Sequence, residues 1–159
     1  MEQVCYRPLK PEDAPALYAL WSDWEVIRYT NVEKSYTLEE VQGRLAALRD
    51  HETFAVERQG ELIGILGCPA VDRTQGTYGL FYQFRRDCWG RGYATAGVAW
   101  LLEYMHSWYG AITLYADVVE ENTASVRILQ RFGFQLQSRA ICQHRGKRTT
   151  ICNYRLELQ

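Results

Sequence analysis

The sequence predicts an α/β fold of the α+β kind, in which strands run mainly as hairpins and helices flank them. Three observations carry this. Residues 53–58 and 61–71 alternate apolar and polar side chains around a Gln59-Gly60 turn, and residues 77–84 add a third strand pattern directly afterwards. Helical apolar spacing occurs before this meander and again after it. Between the third strand pattern and a long helix pattern lies a loop with two glycines one residue apart, Gly90 and Gly92.

A chain of 159 residues with 47% hydrophobic content fits one compact domain, residues 1–159, around one core. The net charge of -1 excludes bulk electrostatic attachment to nucleic acid and confines any anion site to a local patch. Neither a secretory leader nor an uninterrupted apolar span is legible, so the expectation is a cytoplasmic protein away from membranes. The five cysteines, Cys5, Cys68, Cys88, Cys142 and Cys152, are odd in number and lack CxxC spacing. They read as small apolar residues, without disulfides or zinc. His51, His106 and His144 share no ligand spacing, so no metal site is expected.

Taken in order, residues 4–9 read as a short strand, and Pro11 with Glu12 and Asp13 opens a helix whose face Ala14, Leu17, Tyr18 and Trp21 is apolar. A shorter segment, 24–29, precedes a polar loop. Thr37 and Glu40 have capping-box spacing, and Leu38, Val41, Leu45 and Leu48 continue an apolar stripe towards Asp50. After the meander and the glycine loop, Ala94, Val98, Leu101, Met105 and Trp108 mark a helix of about four turns that Gly110 ends. Residues 112–118 alternate as a strand. Asn122 then opens a helix with Ser125, Ile128, Leu129 and Phe132 on one face, closed by Gly133. Strands at 134–143 and 148–158 flank a basic tip at 144–147.

The loop reads as a pyrophosphate site. Its glycines reach positive φ and let backbone approach a ligand, Arg91 suits an anion, and the next helix offers unpaired N–H groups and the positive end of its dipole. A tight turn without ligand is the plain alternative. A nucleotide-binding Rossmann domain fits poorly, because a meander precedes the loop and no acidic ribose partner follows it.

This order of elements, with Trp89-Gly90-Arg91-Gly92-Tyr93-Ala94 where the family has Gln/Arg-x-x-Gly-x-Gly/Ala, resembles the GNAT superfamily of acyl-CoA N-acyltransferases. Residues 24–29 before the Thr37 helix start, the aromatic strand ahead of the loop, Asn122 with Ser125, and Phe132-Gly133-Phe134 look like its RimJ/RimL branch. The resemblance implies a mixed, mostly antiparallel central sheet of about six to seven strands. It also implies acetyl-CoA as co-substrate, no metal, a primary amine of a small molecule or protein N-terminus as acceptor, and a monomer or homodimer. Backbone groups around Tyr82 and Phe84 would pair with pantetheine, and those near Tyr82 would face the thioester. Trp89, Gly90, Arg91, Gly92, Tyr93, Ala94 and Thr95 would cradle the pyrophosphate. Trp24, Tyr29 and Asn31 would line the acceptor cleft.

The chain departs from the family pattern at several positions. Trp89 replaces Gln or Arg, which the branch tolerates where backbone holds phosphate. Gly79 stands where many members carry a glutamate base, Leu129 where many carry a leaving-group tyrosine, and Thr150 where the branch often has aspartate, with Tyr154 retained. Ser125 is the remaining hydroxyl on the inward helix face, and the branch implies that it protonates the departing thiolate; small-residue packing is the alternative. Asn122 reads as an N-cap, with or without a ligand contact. Trp24 and Tyr29 fit core packing as well as a cleft wall, and Cys88 reads as packing rather than a covalent nucleophile.

Without an evident base, an α-amine acceptor is favoured: at pH 7 roughly 10–15% of an α-amine of pKa ~7.8 is neutral, against about 0.04% of a lysine amine at ~10.4. Glu25, Glu33 or Asp117 acting through water would weaken this preference. The alternative to an enzyme is a non-catalytic acyl-CoA sensor.

Overall fold

The computed structural model describes residues 3–30 and 35–159. Among them nine strands form two sheets. The first has the order β1 (Cys5–Pro8), β2 (Glu52–Arg58), β3 (Glu61–Cys68) and β6 (Phe81–Phe84), antiparallel throughout. The second has the order β4 (Ala70–Asp72), β5 (Thr77–Gly79), β7 (Ile112–Val119), β9 (Lys147–Leu158) and β8 (Gln135–His144), with β5 and β7 parallel and the other pairs antiparallel.

The strand count exceeds the six or seven expected because two expected strands break. The run 61–71 divides at Pro69, which has no N–H to continue a ladder, into β3 and β4. The run 77–84 divides at Leu80 into β5, which pairs with β7, and β6, which pairs with β3. One chain segment therefore crosses from one sheet to the other at a single residue.

The helices segregate to the two faces. On one face α1 (Ala14–Trp21), α2 (Trp24–Ile27) and α3 (Leu38–Leu48) cover a core of Leu17, Leu20, Trp21, Val41, Leu45, Ala55 and Ile65. The capping box forms as expected: Glu40 N–H donates to Thr37 Oγ1 at 3.1 Å, and Thr37 N–H to Glu40 Oε1 at 3.0 Å. On the other face α4 (Tyr93–Tyr109) and α5 (Thr123–Arg131) bury Val98, Leu101, Met105 and Leu129 against Ile63, Leu66, Phe84 and Leu114. Gly97 permits this approach, since a Cβ there would lie 2.7 Å from Leu66 Cδ2.

Three stripe residues depart from expectation: Tyr18 is 43% exposed, Leu38 45% and Trp108 71%, while the remaining residues of these stripes are buried or half-buried. Trp108 instead extends a stack of rings, Tyr6 on Trp100, Trp100 on Tyr104 and Tyr104 near Trp108, that starts where α4 packs against β1 and β2.

Candidate active site

The division at Leu80 opens the molecule. The β5–β7 pairing ends at Gly79 with Tyr115, whereas β7 continues beside β9 as far as Val119 with Ile151. Among the described residues, β7 from Ala116 onward has no strand on its other side, and neither has β6 on the side away from β3. Between them runs a cleft of ≈ 1180 Å³. Its walls include Tyr82, Gln83, Ala116, Asp117 and Val118 of the strands, Asn122 and Ser125 from the α5 side, and Tyr29, Arg44 and His51 from the α1–α3 side. It thus connects the two faces of the fold.

The unpaired edge of β6 has a fixed polarity. Arg85 N–H donates to Ile63 O at 2.8 Å, and strand groups alternate in direction, so Gln83 turns its backbone groups to β3 while those of Tyr82 and Phe84 turn to the cleft. The Phe84 carbonyl is taken: Trp89 Nε1 donates to it at 2.9 Å. In this way Trp89 bolts the glycine loop to the end of β6.

Gly90 has φ 74° and Gly92 φ 84°, as the sequence required. Gly92 is the N-cap of α4, and the first helical bond runs from Ala96 N–H to Gly92 O at 3.0 Å. The N–H groups of Tyr93, Ala94 and Thr95 therefore precede the ladder at the mouth of the cleft. Cations crowd the loop. Arg85 pairs with Glu61 at 2.6 Å and Asp87 at 2.8 Å, and its hydrogen bond pulls the Asp87 carboxyl down to about 2. Arg58 donates to Tyr93 Oη at 3.1 Å, Arg86 pairs with Asp23 at 3.1 Å, and Arg91 is exposed. Cys88 is buried and burial pushes its thiol up, so it is no thiolate.

Across the cleft, Tyr82 Oη donates to Ser125 Oγ at 3.0 Å. Burial raises the Tyr82 hydroxyl above its ordinary value, against a smaller opposing effect of that bond, so it stays protonated at neutral pH. Asn122 caps α5, its Oδ1 accepting from Ser125 N–H at 3.4 Å, and it also lines the cleft. Trp24 is 53% exposed and stays out of the cleft wall: the Arg145 guanidinium covers its ring at 4.4 Å. Tyr29 does line the cleft, and Asn31 and Glu33 lie outside the described residues.

Sequence reading did not single out Gln83, which accepts from Trp21 Nε1 at 2.7 Å, or the turn residues His144 and Arg145 as partners of α2. Those contacts join segments 62 to 118 residues apart, and no local pattern encodes them. Among the described residues no His, Cys, Asp and Glu cluster could hold a metal ion.

An unpaired strand edge beside N–H groups at a helix start suits an extended amide chain ending in a phosphate. The family comparison agrees, since residues 3–135 match the acetyltransferase (GNAT) domain family. The chain belongs to the GNAT acetyltransferases. This acetyltransferase is 28% identical over 142 residues to p20 of Bacillus licheniformis, an uncharacterised N-acetyltransferase, covering 84% of this chain and 80% of that one. Its fold matches the spermidine N-acetyltransferase of Vibrio cholerae in complex with CoA and spermine, at TM-score 0.89 and 18% identity over 98% and 96% of the two chains. It also matches the Salmonella typhimurium enzyme that modifies the N-terminal serine of ribosomal protein L7/L12, at TM-score 0.85 and 15% identity over 100% and 97%. The acetyltransferase is accordingly an acetyl-CoA-dependent enzyme, and its fold is the GNAT fold.

Proposed function

We propose that the enzyme transfers the acetyl group of acetyl-CoA to an α-amine, on a protein N-terminus or a small amino-acid-like molecule, by direct attack while both substrates are bound. The observation that carries this reading is the Tyr82–Ser125 hydrogen bond set in the opening between β6 and β7. A cleft that reaches both faces lets the donor enter beside α4 and α5 and the acceptor beside α1–α3, so the two meet without a covalent enzyme intermediate.

Pantetheine would lie along the cleft edge of β6, accepting from the backbone N–H of Phe84 and donating to the backbone carbonyl of Tyr82. The pyrophosphate would rest on the backbone from Gly90 to Thr95, with Arg91 and Trp89 at its rim. The Tyr82 N–H faces the position of the thioester oxygen and steadies the charge that gathers there during attack. As the amine nitrogen bonds to the acetyl carbon, the carbon–sulfur bond breaks and the nitrogen gives up a proton. Ser125 gives its proton to the sulfur and takes one back from solvent water as the thiol leaves. Because Ser125 Oγ accepts from Tyr82, its own hydrogen is left to turn toward the leaving group. Tyr29, which lines the cleft, would contact the acceptor.

The α-amine preference rests on base strength. Gly79 holds no carboxylate in the strand before the loop, and a weakly assisted reaction favours the less basic amine. The two fold neighbours named above act on a polyamine and on a protein N-terminus, and the RimJ/RimL-like features of the sequence side with the latter. Calorimetry with acetyl-CoA followed by thiol release over a panel of N-terminal peptides, free lysine and spermidine tests the reading. Turnover is expected to be highest on peptides. Turnover confined to lysine or spermidine would overturn the α-amine reading, and binding without turnover on any amine would favour the sensor.

A further inference from the structure

The proposed reaction needs an acceptor for the amine proton, and the cleft offers four side chains that bind protons on the acid to neutral side: Glu25, Asp117, His51 and His144. Glu25 faces Arg28 at 3.7 Å, and Asp117 Oδ1 accepts from Asn153 Nδ2 at 2.7 Å. Both carboxylates are thus already engaged by a side-chain partner. His51 Nδ1 accepts the Ala70 N–H at 3.1 Å, so its proton sits on Nε2 and its lone pair is spent.

His144 differs. Its Nε2 lies 3.3 Å from the Arg28 carbonyl oxygen. A carbonyl only accepts, so Nε2 must carry the proton and Nδ1 the lone pair, and Nδ1 has no protein partner among the described residues. We propose that His144 is the general base that takes the proton from the acceptor amine. The assignment rests on the acetyl-transfer reading above.

The turn that carries His144 is clamped. Arg145, at φ 55°, donates through one terminal nitrogen to Ile27 O at 2.6 Å, while its guanidinium covers Trp24 at 4.4 Å. Thus β8 and β9 deliver the imidazole to the end of α2, and Arg145 is a positioning residue that keeps it there. The charged and titratable groups around the ring are Arg28, Glu25 and Tyr29 on the α2 side and Arg145 and Lys147 on its own turn, with Lys147 3.5 Å from Glu121.

The test compares wild type with H144Q in kcat/KM for an N-terminal peptide from pH 5 to 9. Glutamine keeps a donor for the Arg28 carbonyl but cannot act as the base. The acceptor's own ionisation contributes one acid limb to both enzymes, so wild type should fall with a slope of two at low pH and H144Q with a slope of one. At pH 7.5 the H144Q rate should be lower by about 10²-fold or more. Its acetyl-CoA affinity by calorimetry should stay within about threefold, and imidazole added to H144A should restore part of the rate. R145A should keep the steep limb and lose rate through a higher acceptor KM. A slope of two in H144Q, or a rate within about threefold of wild type, would overturn the assignment while leaving acetyl transfer standing. Absence of wild-type turnover would overturn the underlying reading itself.

Discussion

In the proposed reaction Ser125 and Tyr82 would divide their work through the direction of one hydrogen bond, with Ser125 as proton donor. Replacing Ser125 with alanine removes the proton donor but no strand backbone, so S125A should lower kcat by about 10- to 10²-fold and leave the acetyl-CoA KM within about threefold in steady-state assays. Y82F keeps every backbone contact and loses only the orienting bond, so a smaller fall in kcat is expected. How legible these residues were varies with distance along the chain. Asn122 and Ser125 are three apart, and their capping relation could be read directly. Tyr82 and Ser125 are 43 apart, and only the packing of α5 over the cleft brings them together. The place of His144 at a hairpin tip was legible, whereas its partner, the Arg28 carbonyl, lies 116 residues away and was not.

Elements meet where polar groups pin them, and two junctions make this measurable. Asp13, at the start of α1, is nearly fully buried: burial pushes its carboxyl up, but hydrogen bonds from Arg7 of β1 at 2.7 and 2.8 Å and from Lys10 N–H at 2.9 Å outweigh this and hold it below its ordinary value. A depressed folded value means stability that is present above the unfolded value near ~4 and lost as pH falls through the folded one. D13N should cost about 2 kcal/mol at pH 7 in urea unfolding, and the gap from wild type should close on acidification below about pH 4. At the loop, Gly92 holds φ 84°, so G92A should introduce about 1–2 kcal/mol of strain and weaken acetyl-CoA binding about tenfold by calorimetry. Helix starts such as Thr37 with Glu40 were legible because both partners lie within one turn. Tyr18, Leu38 and Trp108 were misjudged because periodicity names a face and cannot say which of its positions find a packing partner.

At the scale of the whole molecule, element order and the glycine loop placed the fold correctly, while the break at Leu80 was invisible: residues 77–84 read as one unbroken aromatic strand. The break decides how the halves hold together. Acetyl-CoA at about 100 times its Kd should stabilise the folded state by about 2.7 kcal/mol, seen as a rise in Tm of roughly 5–10 °C by calorimetry. Among the described residues no ladder pairs a strand of one sheet with a strand of the other, and the chain itself joins them, between β3 and β4 at Pro69 and between β5 and β6 at Leu80. The arrangement is that of a book bound along a small part of its spine, and in the proposed complex the donor substrate would take the place of the missing stitches. Amide hydrogens of Tyr82 and Phe84 should then exchange quickly in the free enzyme and slow when coenzyme A is bound, while that of Gln83, already turned to β3, changes little. Substrate binding and completion of the sheet would thus be one event.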